Sequence, residues 1–241
     1  MVPPGDFLGV IPSWAVIYTA TAVSFGSAVA ILYIRMFRPI LAGKPSGRTD
    51  QLPRRIFGSI PYILGQKKVL QSTHIARDRA GMAHATNFWG FLSFSVSYII
   101  FIYGDSINPK FSTTILSEMG VRIFGAYLDF LSVALLILIV FAVLRRWVFT
   151  PKRLKFDLTQ KREAAIILAL IALLMISTIL AEGFYVAVEN SNSHSFLGNA
   201  LGNWLSDLGI TSGAASAIYQ SSWWIHLFII LGLDVHPSIS L

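Results

Sequence analysis

The sequence predicts an all-α membrane protein built as a bundle of five transmembrane helices, and three observations lead to this prediction. Hydrophobic residues make up 54% of the 241 positions, and charged residues make up only 13%, whereas soluble domains usually carry about 25% charged residues. The mean hydropathy is +0.64. Five segments reach the roughly 20 apolar residues that a helix needs to cross a bilayer. A disordered chain is therefore excluded, and the lipid bilayer is the expected environment.

The five expected spans cover approximately residues 11–37, 83–103, 119–144, 164–188 and 214–233. The first span is not a cleavable signal peptide, because it is too long and because Pro3, Pro4 and Asp6 occupy the place of a basic leader region. All 241 residues are expected to form one membrane-embedded unit.

Two of the connecting segments have recognisable patterns of their own. Residues 54–69 mix apolar with basic side chains, which predicts an amphipathic segment on the membrane surface. The stretch 190–213 is polar and rich in small residues, which predicts a loop with a short helix near 200–208. His194 lies in this loop and is expected to be exposed to solvent.

The basic residues are concentrated in two loops, and this predicts the orientation. Residues 35–79 contain ten of the 19 Lys and Arg residues, and residues 145–162 contain seven more. Because loops rich in Lys and Arg remain in the cytoplasm, we expect a multi-pass protein of the cytoplasmic (inner) membrane with its N-terminus outside and its C-terminus in the cytoplasm. The same distribution accounts for the net charge of +7 without a nucleic-acid partner.

The residue types present exclude several kinds of site. The chain has no cysteine, so it cannot itself hold an iron–sulfur cluster, a thiolate zinc site or a disulfide, and it has no cysteine nucleophile. It also contains no P-loop and no GxGxxG, HExxH or GxSxG motif. The histidines are therefore the first candidates for chemistry inside the membrane.

Three of the five histidines lie in or near the spans. His84 opens the second span, His226 lies in the fifth, and His74 precedes His84 by ten residues. Ligand-type residues inside a membrane usually mark a functional site. Because the second and fifth helices run in opposite directions, His84 and His226 are expected to face each other as the axial ligands of haem b. For each histidine alone, a hydrogen bond to a backbone carbonyl is the alternative.

The residues around these histidines resemble a known membrane module. The matching runs are Gln-Lys-Lys-Val-Leu at 66–70, Asn-Phe-Trp-Gly-Phe at 87–91 and Trp-Trp-Ile-His at 223–226, together with His74 and His84. They resemble the five-helix dihaem cytochrome b domain of the nitrate reductase gamma-subunit superfamily, in the form found at the N-terminus of heterodisulfide-reductase-related Fe–S oxidoreductases. The resemblance covers nearly the whole chain. It implies that His74 binds a haem on the cytoplasmic side and that His84 and His226 bind the outer haem.

The sequence departs from this family after His226. The family places its second fifth-helix ligand at what would be position 242 or 244 here, and the chain stops at Leu241. We therefore expect a C-terminally truncated cytochrome in which the haem b site of His84 and His226 is complete and the second site, at His74, is incomplete. His236 is the alternative partner for His74.

Several charged residues are candidate contacts for a cofactor. Arg77 and Arg79 lie beside the expected cytoplasmic haem, and a guanidinium suits a haem propionate; contact with lipid headgroups is the alternative. Arg122 and Asp129 are seven residues apart, nearly on one face of the third span. An ion pair between them, contact with a propionate, and proton relay by Asp129 at a quinone site all stay open. Glu182 is a similar but weaker candidate.

These interpretations give one leading functional hypothesis and two alternatives. The resemblance implies a haem b subunit that passes electrons between the quinone pool and a cytoplasmic Fe–S or flavoprotein partner. Such a subunit is the electron-transfer part of an oxidoreductase and has no complete active site of its own. The alternatives are a small transporter-like protein whose His and Asp residues line a polar path, and a truncated remnant that assembles no cofactor.

Overall fold

The computed structural model describes residues 4–7, 9–44, 50–71, 80–149, 158–189, 193–210 and 212–240. Within these ranges the chain is almost entirely helical, and five helical segments are long enough and apolar enough to cross a membrane. These segments are Ser13–Leu41, Gly81–Ile107, Phe111–Val148, Arg162–Glu189 and Gly213–Gly232. The predictions of an all-α fold and of five spans are confirmed, whereas the orientation in the membrane stays a prediction.

The elements follow one another with short connections. A two-stranded antiparallel hairpin comes first, with β1 at Asp6–Phe7 and β2 at Ile11–Pro12. The α-helices in the described ranges are α1 Ser13–Leu32, α2 Arg38–Leu41, α3 Leu52–Ile63, α4 Lys67–Gln71, α5 Ala80–Ser97, α6 Asp105–Ile107, α7 Phe111–Val143, α8 Leu158–Glu189, α9 Phe196–Asp207 and α10 Ser212–Ser240. Short π-helical stretches extend α1, α5 and α7, at Tyr33–Phe37, Tyr98–Gly104 and Leu144–Val148.

The helix boundaries differ from the predicted ones at two places. Helix α7 begins before the predicted start at Met119, but Ser117 has non-helical angles, φ 62° and ψ 165°. The Ser117 hydroxyl accepts a hydrogen bond from the Gly120 N–H at 3.3 Å, which caps the main part of the helix close to Met119. Helix α10 continues past the predicted end at 233 to Ser240 and includes Pro237.

The bundle exposes apolar side chains on its outside and buries two clusters inside. Phe25 is 67% exposed and Ile137 is 63% exposed, which suits a surface covered by lipid rather than by water. Helix α10 packs between α1 and α8, α8 packs on α7, and α7 packs on α5. One buried cluster surrounds Trp223 and Trp224, and the other joins Phe94 to residues of α7 and α8.

Helix α9 confirms the short helix predicted in the 190–213 loop, and it packs along α8. Three glycines allow the close approach. A Cβ added at Gly202 would lie 2.5 Å from a Val186 methyl group, and one at Gly183 would lie 2.5 Å from the Leu201 side chain. At Gly198, an added Cβ would lie 2.8 Å from the Glu182 Cβ. We call Gly183, Gly198 and Gly202 the glycine seam.

Helices α3 and α4 occupy most of residues 50–71 in the loop between the first two spans. Helix α3 has no buried residue and exposes Ile56 and Phe57 beside its arginines, as an amphipathic segment should. Its location on the membrane surface stays a prediction.

Candidate functional site

A polar cavity lies between the π-helical end of the second span, α7, α8, α10 and the segment before α9. Its volume is about 220 Å³. Phe94 and Phe101 contribute aromatic walls, and hydroxyl and ionisable groups share the rest of the lining with the aliphatic side chains of Ile102, Val121 and Leu128. We call it the His226 cavity. The polar side chains used below are those of Tyr98, Asp129, Thr178, Glu182, Ser195 and His226.

His226 is 2% exposed, and both of its ring nitrogens have hydrogen-bond partners. Nε2 lies 2.9 Å from the Tyr98 hydroxyl. Nδ1 lies 3.0 Å from the Ser177 hydroxyl, 3.2 Å from the Leu174 carbonyl oxygen and 3.3 Å from the Thr178 hydroxyl. The Tyr98 ring meets the imidazole edge-on, with centroids 5.7 Å apart. The imidazole is thus fixed on both sides by α8 and by the second span.

The hydrogen bonds around Nδ1 assign the tautomer of His226. The hydroxyls of Ser177 and Thr178 each donate to the Leu174 carbonyl oxygen at 2.9 Å. Because these hydroxyls are committed as donors and a carbonyl oxygen only accepts, Nδ1 carries the hydrogen and donates it to this group of oxygens. Nε2 is left with a lone pair, which accepts the Tyr98 O–H. His226 is therefore assigned as a neutral imidazole with its basic nitrogen next to Tyr98.

Tyr98 lies at the point where the second span changes from α-helix to π-helix. It is the first residue of the π-helical stretch Tyr98–Gly104, which follows directly on α5. The preceding Ser97 hydroxyl donates to the Phe94 carbonyl at 2.7 Å. Short π-helical stretches inside α-helices are frequent at functional sites, and here one begins at the residue that contacts His226.

Asp129 holds the start of α9. Its carboxylate is 7% exposed and accepts the Ser195 hydroxyl at 2.9 and 3.0 Å and the Leu197 N–H at 2.9 Å. The Ser195 oxygen in turn accepts the Gly198 N–H at 2.8 Å, as the N-cap of α9. A carboxylate is favoured at a helix N-terminus, where backbone N–H groups are free to donate. A buried charge is costly unless it is hydrogen-bonded, and these donors meet that requirement.

An ion pair with Arg122, one of the three alternatives left open for Asp129, is not among the contacts of the described residues. Arg122 is exposed on the outside of α7, whereas Asp129 is buried. Two helical turns separate them by about 10 Å along the axis, so the side chains reach each other only if both turn toward the same point. Asp129 turns to the start of α9 instead.

Glu182 anchors the segment just before α9. Its Oε2 accepts the Ser193 hydroxyl at 2.7 Å, and the Ser193 oxygen accepts the Ser195 N–H at 3.1 Å. The side chain of Asn199 fixes the same segment through two bonds with the Ser193 backbone, at 2.8 and 2.9 Å. His194 lines the cavity but is exposed, as predicted. Two carboxylates therefore lie at the α9 end of the His226 cavity.

His84 lies at a different cavity, toward the end of the bundle that carries the basic loops. This cavity, the His84 groove, has a volume of about 360 Å³ and lies between α5, α7 and α8. Its lining is mostly apolar, with polar groups only from His84, Asn87, Arg145 and Arg146 among the described residues. His84 is exposed, and both arginines are half-buried.

The structure does not bring His84 and His226 together. His226 contacts Tyr98, which is fourteen residues beyond His84 on the same span, or about 21 Å along the axis. A bis-histidine haem needs both imidazoles on one iron, so the residues as arranged do not fit the predicted haem b site. Haem b stays a prediction that rests on the resemblance.

Some predicted site residues lie outside the described residues. They are His74, Arg77 and Arg79, together with the side chain of His236. Among the residues that the structure does describe, no group of three His, Asp or Glu side chains is arranged to hold a metal ion.

The sequence analysis did not identify four residues that build the site: Tyr98, Ser177, Thr178 and Ser195. A signal for three of them was present, because Tyr98 and the pair Ser177–Thr178 are hydrogen-bonding groups within otherwise apolar spans. Nothing in the sequence distinguished Ser195 from the other serines of its loop.

No protein-family model matches the chain, and neither a curated protein nor a solved structure matches it. The basis for a functional proposal is therefore the chemistry of the two cavities.

Proposed function

We propose that the protein is a membrane subunit of an electron-transport oxidoreductase that binds a quinol or quinone head group in the His226 cavity and takes up protons from it. The observation that carries the proposal is the neutral imidazole of His226, which is fixed through Nδ1 by Ser177 and Leu174 and has a basic Nε2 beside Tyr98. A buried imidazole held in one tautomer is suited to accept a proton from a hydroxyl group.

The form of the cavity supports a flat ring with oxygens at opposite ends. Phe94 and Phe101 offer apolar contact to such a ring, and hydrogen-bonding groups stand at His226 and, toward α9, at Asp129. The volume of about 220 Å³ accommodates a head group and not an isoprenoid tail, which would remain in the lipid. A ligand that partitions into the bilayer reaches a site within the spans without crossing water.

The proton chemistry then follows from the residues. Oxidation of a quinol to a quinone breaks two O–H bonds and releases two protons and two electrons. Nε2 of His226 takes one hydroxyl proton when the quinol displaces Tyr98 from it, and the Asp129 carboxylate at the α9 end of the same cavity takes the other. Glu182 offers a second carboxylate for onward transfer toward the loop before α9. The electrons leave to an acceptor outside this site, for which the resemblance implies an Fe–S or flavoprotein partner.

The experiment is a binding titration with decylubiquinone in detergent micelles or nanodiscs. Trp223 and Trp224 lie next to His226 in the same helix, so a bound quinone should quench tryptophan fluorescence saturably. A quinone carbonyl only accepts hydrogen bonds, so Tyr98→Phe, which removes the hydroxyl donor beside Nε2, should weaken decylubiquinone binding by about tenfold, the loss expected for one hydrogen bond. His226→Phe removes the acceptor of a quinol hydroxyl and should weaken the binding of the reduced decylubiquinol by about the same factor.

Two variants serve as controls, because they change the same residue types elsewhere. His84→Ala alters the other cavity, and Tyr127→Phe removes a hydroxyl that bonds Ser93 on the outside of the bundle. Both should bind decylubiquinone like the wild type. Quenching that does not saturate, or that is equal in all four variants, contradicts the proposal and favours the transporter-like alternative.

Haem b is the second candidate feature of this function, supported by the resemblance around His74, His84 and His226. Reduced-minus-oxidised spectra of protein expressed with ample haem test it. A haem-to-protein ratio near one in the pyridine haemochrome assay, lost in His84→Ala and in His226→Ala, would support the resemblance against the separation of the two histidines in the structure. Absence of a Soret band contradicts it and leaves the quinone proposal standing.

We also propose the orientation indicated by the basic loops, in the inner membrane with α9 outside. Because the chain has no cysteine, single cysteines report it cleanly. Asp207→Cys at the end of α9 should react with an impermeant maleimide on intact cells, and Lys44→Cys should react only after permeabilisation. The opposite pattern would reverse the orientation.

A further inference from the structure

The His84 groove combines an apolar floor with cations at one end. Along α7 its lining runs from Leu135 to Arg146, a distance of about 16 Å at 1.5 Å per residue. This is close to half of the roughly 30 Å hydrocarbon core of a bilayer, the depth of one leaflet. Helices α5 and α8 form the sides, so the groove runs lengthwise between three spans.

The charged groups lie together at the mouth of the groove. Arg145 and Arg146 belong to the π-helical stretch Leu144–Val148 that ends the third span, and His84 and Asn87 face the same cavity from α5. The described lining contains no Asp or Glu. A guanidinium donates two parallel hydrogen bonds to a phosphate. The mouth therefore suits an anion, and the floor suits a hydrocarbon chain.

We propose that the His84 groove binds one anionic phospholipid, with its phosphate at Arg145 and Arg146 and an acyl chain along Leu138, Ala142 and Ile171. Charge complementarity selects the anionic lipid, and the leaflet-deep apolar floor selects a lipid over free phosphate. Basic pockets between spans on the cytoplasmic side are a known setting for such lipids, and the basic loops predict that this end faces the cytoplasm. The proposal does not depend on the quinone site.

The test is thermal unfolding of the detergent-solubilised protein with added lipid. Phosphatidylglycerol should raise the melting temperature more than phosphatidylcholine with the same acyl chains, because a ligand of the folded state stabilises it by mass action. The double variant Arg145→Gln/Arg146→Gln should weaken the apparent affinity for phosphatidylglycerol about tenfold or more. Its matched control is Arg35→Gln/Arg38→Gln, which removes two exposed charges from the end of the first span and should respond like the wild type.

A second variant tests the floor of the groove separately from its charges. Ala142→Phe fills the groove and retains both arginines, so it should also lose the specific response, while its melting temperature in phosphatidylcholine reports whether it folds. Equal losses in both arginine double variants would overturn the proposal in favour of general surface attraction. An equal effect of inorganic phosphate would overturn it in favour of an anion site without a lipid chain. A Soret band that disappears in Arg145→Gln/Arg146→Gln would assign the groove to haem instead.

Discussion

The two cavities of the bundle each contain one histidine of a span, and the two histidines are placed in opposite ways. His226 is buried at 2% exposure and is bonded at both ring nitrogens. His84 is exposed at the mouth of an apolar groove, beside two arginines. The same residue type is therefore buried and fixed at one end of the bundle and exposed beside two arginines at the other.

The difference shows that the neighbours of a histidine decide its chemistry, and not its presence in a span. Around His226 the neighbours are neutral hydroxyls and a carbonyl, which hold one tautomer and leave a lone pair at Nε2. Around His84 they are two arginines and apolar side chains, the surroundings from which the anionic phospholipid site is proposed. Four sets of substitutions test the two sites and the packing around them, ordered here from the largest expected effect to the smallest.

The largest difference is expected between His226→Ala and His84→Ala. The first leaves a cavity and takes the partner from the Tyr98 hydroxyl, so it should lower the free energy of unfolding by roughly 2–4 kcal/mol. The second truncates an exposed side chain and should have no measurable effect on stability. Unfolding in mixed micelles of increasing dodecyl sulfate content measures both. Equal losses would show that the two histidines are not in different environments.

The next effect is that of Asp129→Ala, which removes the acceptor of the Ser195 hydroxyl and the Leu197 N–H. Hydrogen bonds to a charged group justify an expected loss of about 2 kcal/mol or more. A double-mutant cycle with Ser195→Ala should give a coupling of at least about 1 kcal/mol. Asp207→Ala, at an exposed position of α9, is the control. Additive losses would show that the carboxylate does not act through Ser195.

A smaller loss is expected for Gly202→Ala in the glycine seam. The new Cβ would meet a Val186 methyl group at 2.5 Å and the Gly183 carbonyl oxygen at 2.9 Å, and such overpacking costs about 1–2 kcal/mol. Gly26→Ala is the matched control, since no atom lies within 4 Å of its Cβ position and alanine favours the helix. A melting temperature lowered by Gly202→Ala and not by Gly26→Ala is expected. The reverse order would contradict the close packing of α8 and α9.

The smallest effects on stability are expected for substitutions of the hydrogen-bond partners on the two sides of the His226 ring. Tyr98→Phe removes the partner of Nε2 and should cost about 1 kcal/mol. Ser177→Ala should cost less than about 0.5 kcal/mol, because the Thr178 hydroxyl and the Leu174 carbonyl remain near Nδ1. The same unfolding titration measures the pair. A larger loss from Ser177→Ala would require the opposite tautomer.

The helices were predictable because they depend on local composition. A run of about 20 apolar residues must be helical in a membrane, since every backbone group needs a partner inside the segment. This rule placed the five spans, and a short helix was also expected near 200–208 in the polar stretch 190–213, where α9 lies. The predicted start at Met119 missed the first residues of α7, which begins at Phe111 and is interrupted at Ser117.

The contacts between the helices were not predictable in the same way. The hydroxyl and N–H donors to Asp129 come from 66 and 68 residues along the chain, while the spacing rule offered only Arg122 on its own helix. The sequence also did not determine how deep His84 lies in the membrane relative to His226. A span can tilt or slide in the bilayer at a cost of fractions of a kcal/mol per Å, so hydropathy does not fix which residues of antiparallel helices lie level. The residues that lie at the same depth are determined by packing between the helices, such as the contact of Tyr98 with His226.

Helix α9 is attached to α8 and to α7 through different kinds of contact. Along α8 it is held by close packing at the glycine seam, and the hydrogen bond from Ser193 to Glu182 holds the segment before it. Toward α7 it is held by the polar bonds to Asp129 and by the close approach of the His194 carbonyl to Gly125. The attachment of α9 to α7 therefore depends mainly on one carboxylate, whereas its attachment to α8 is spread over three glycines.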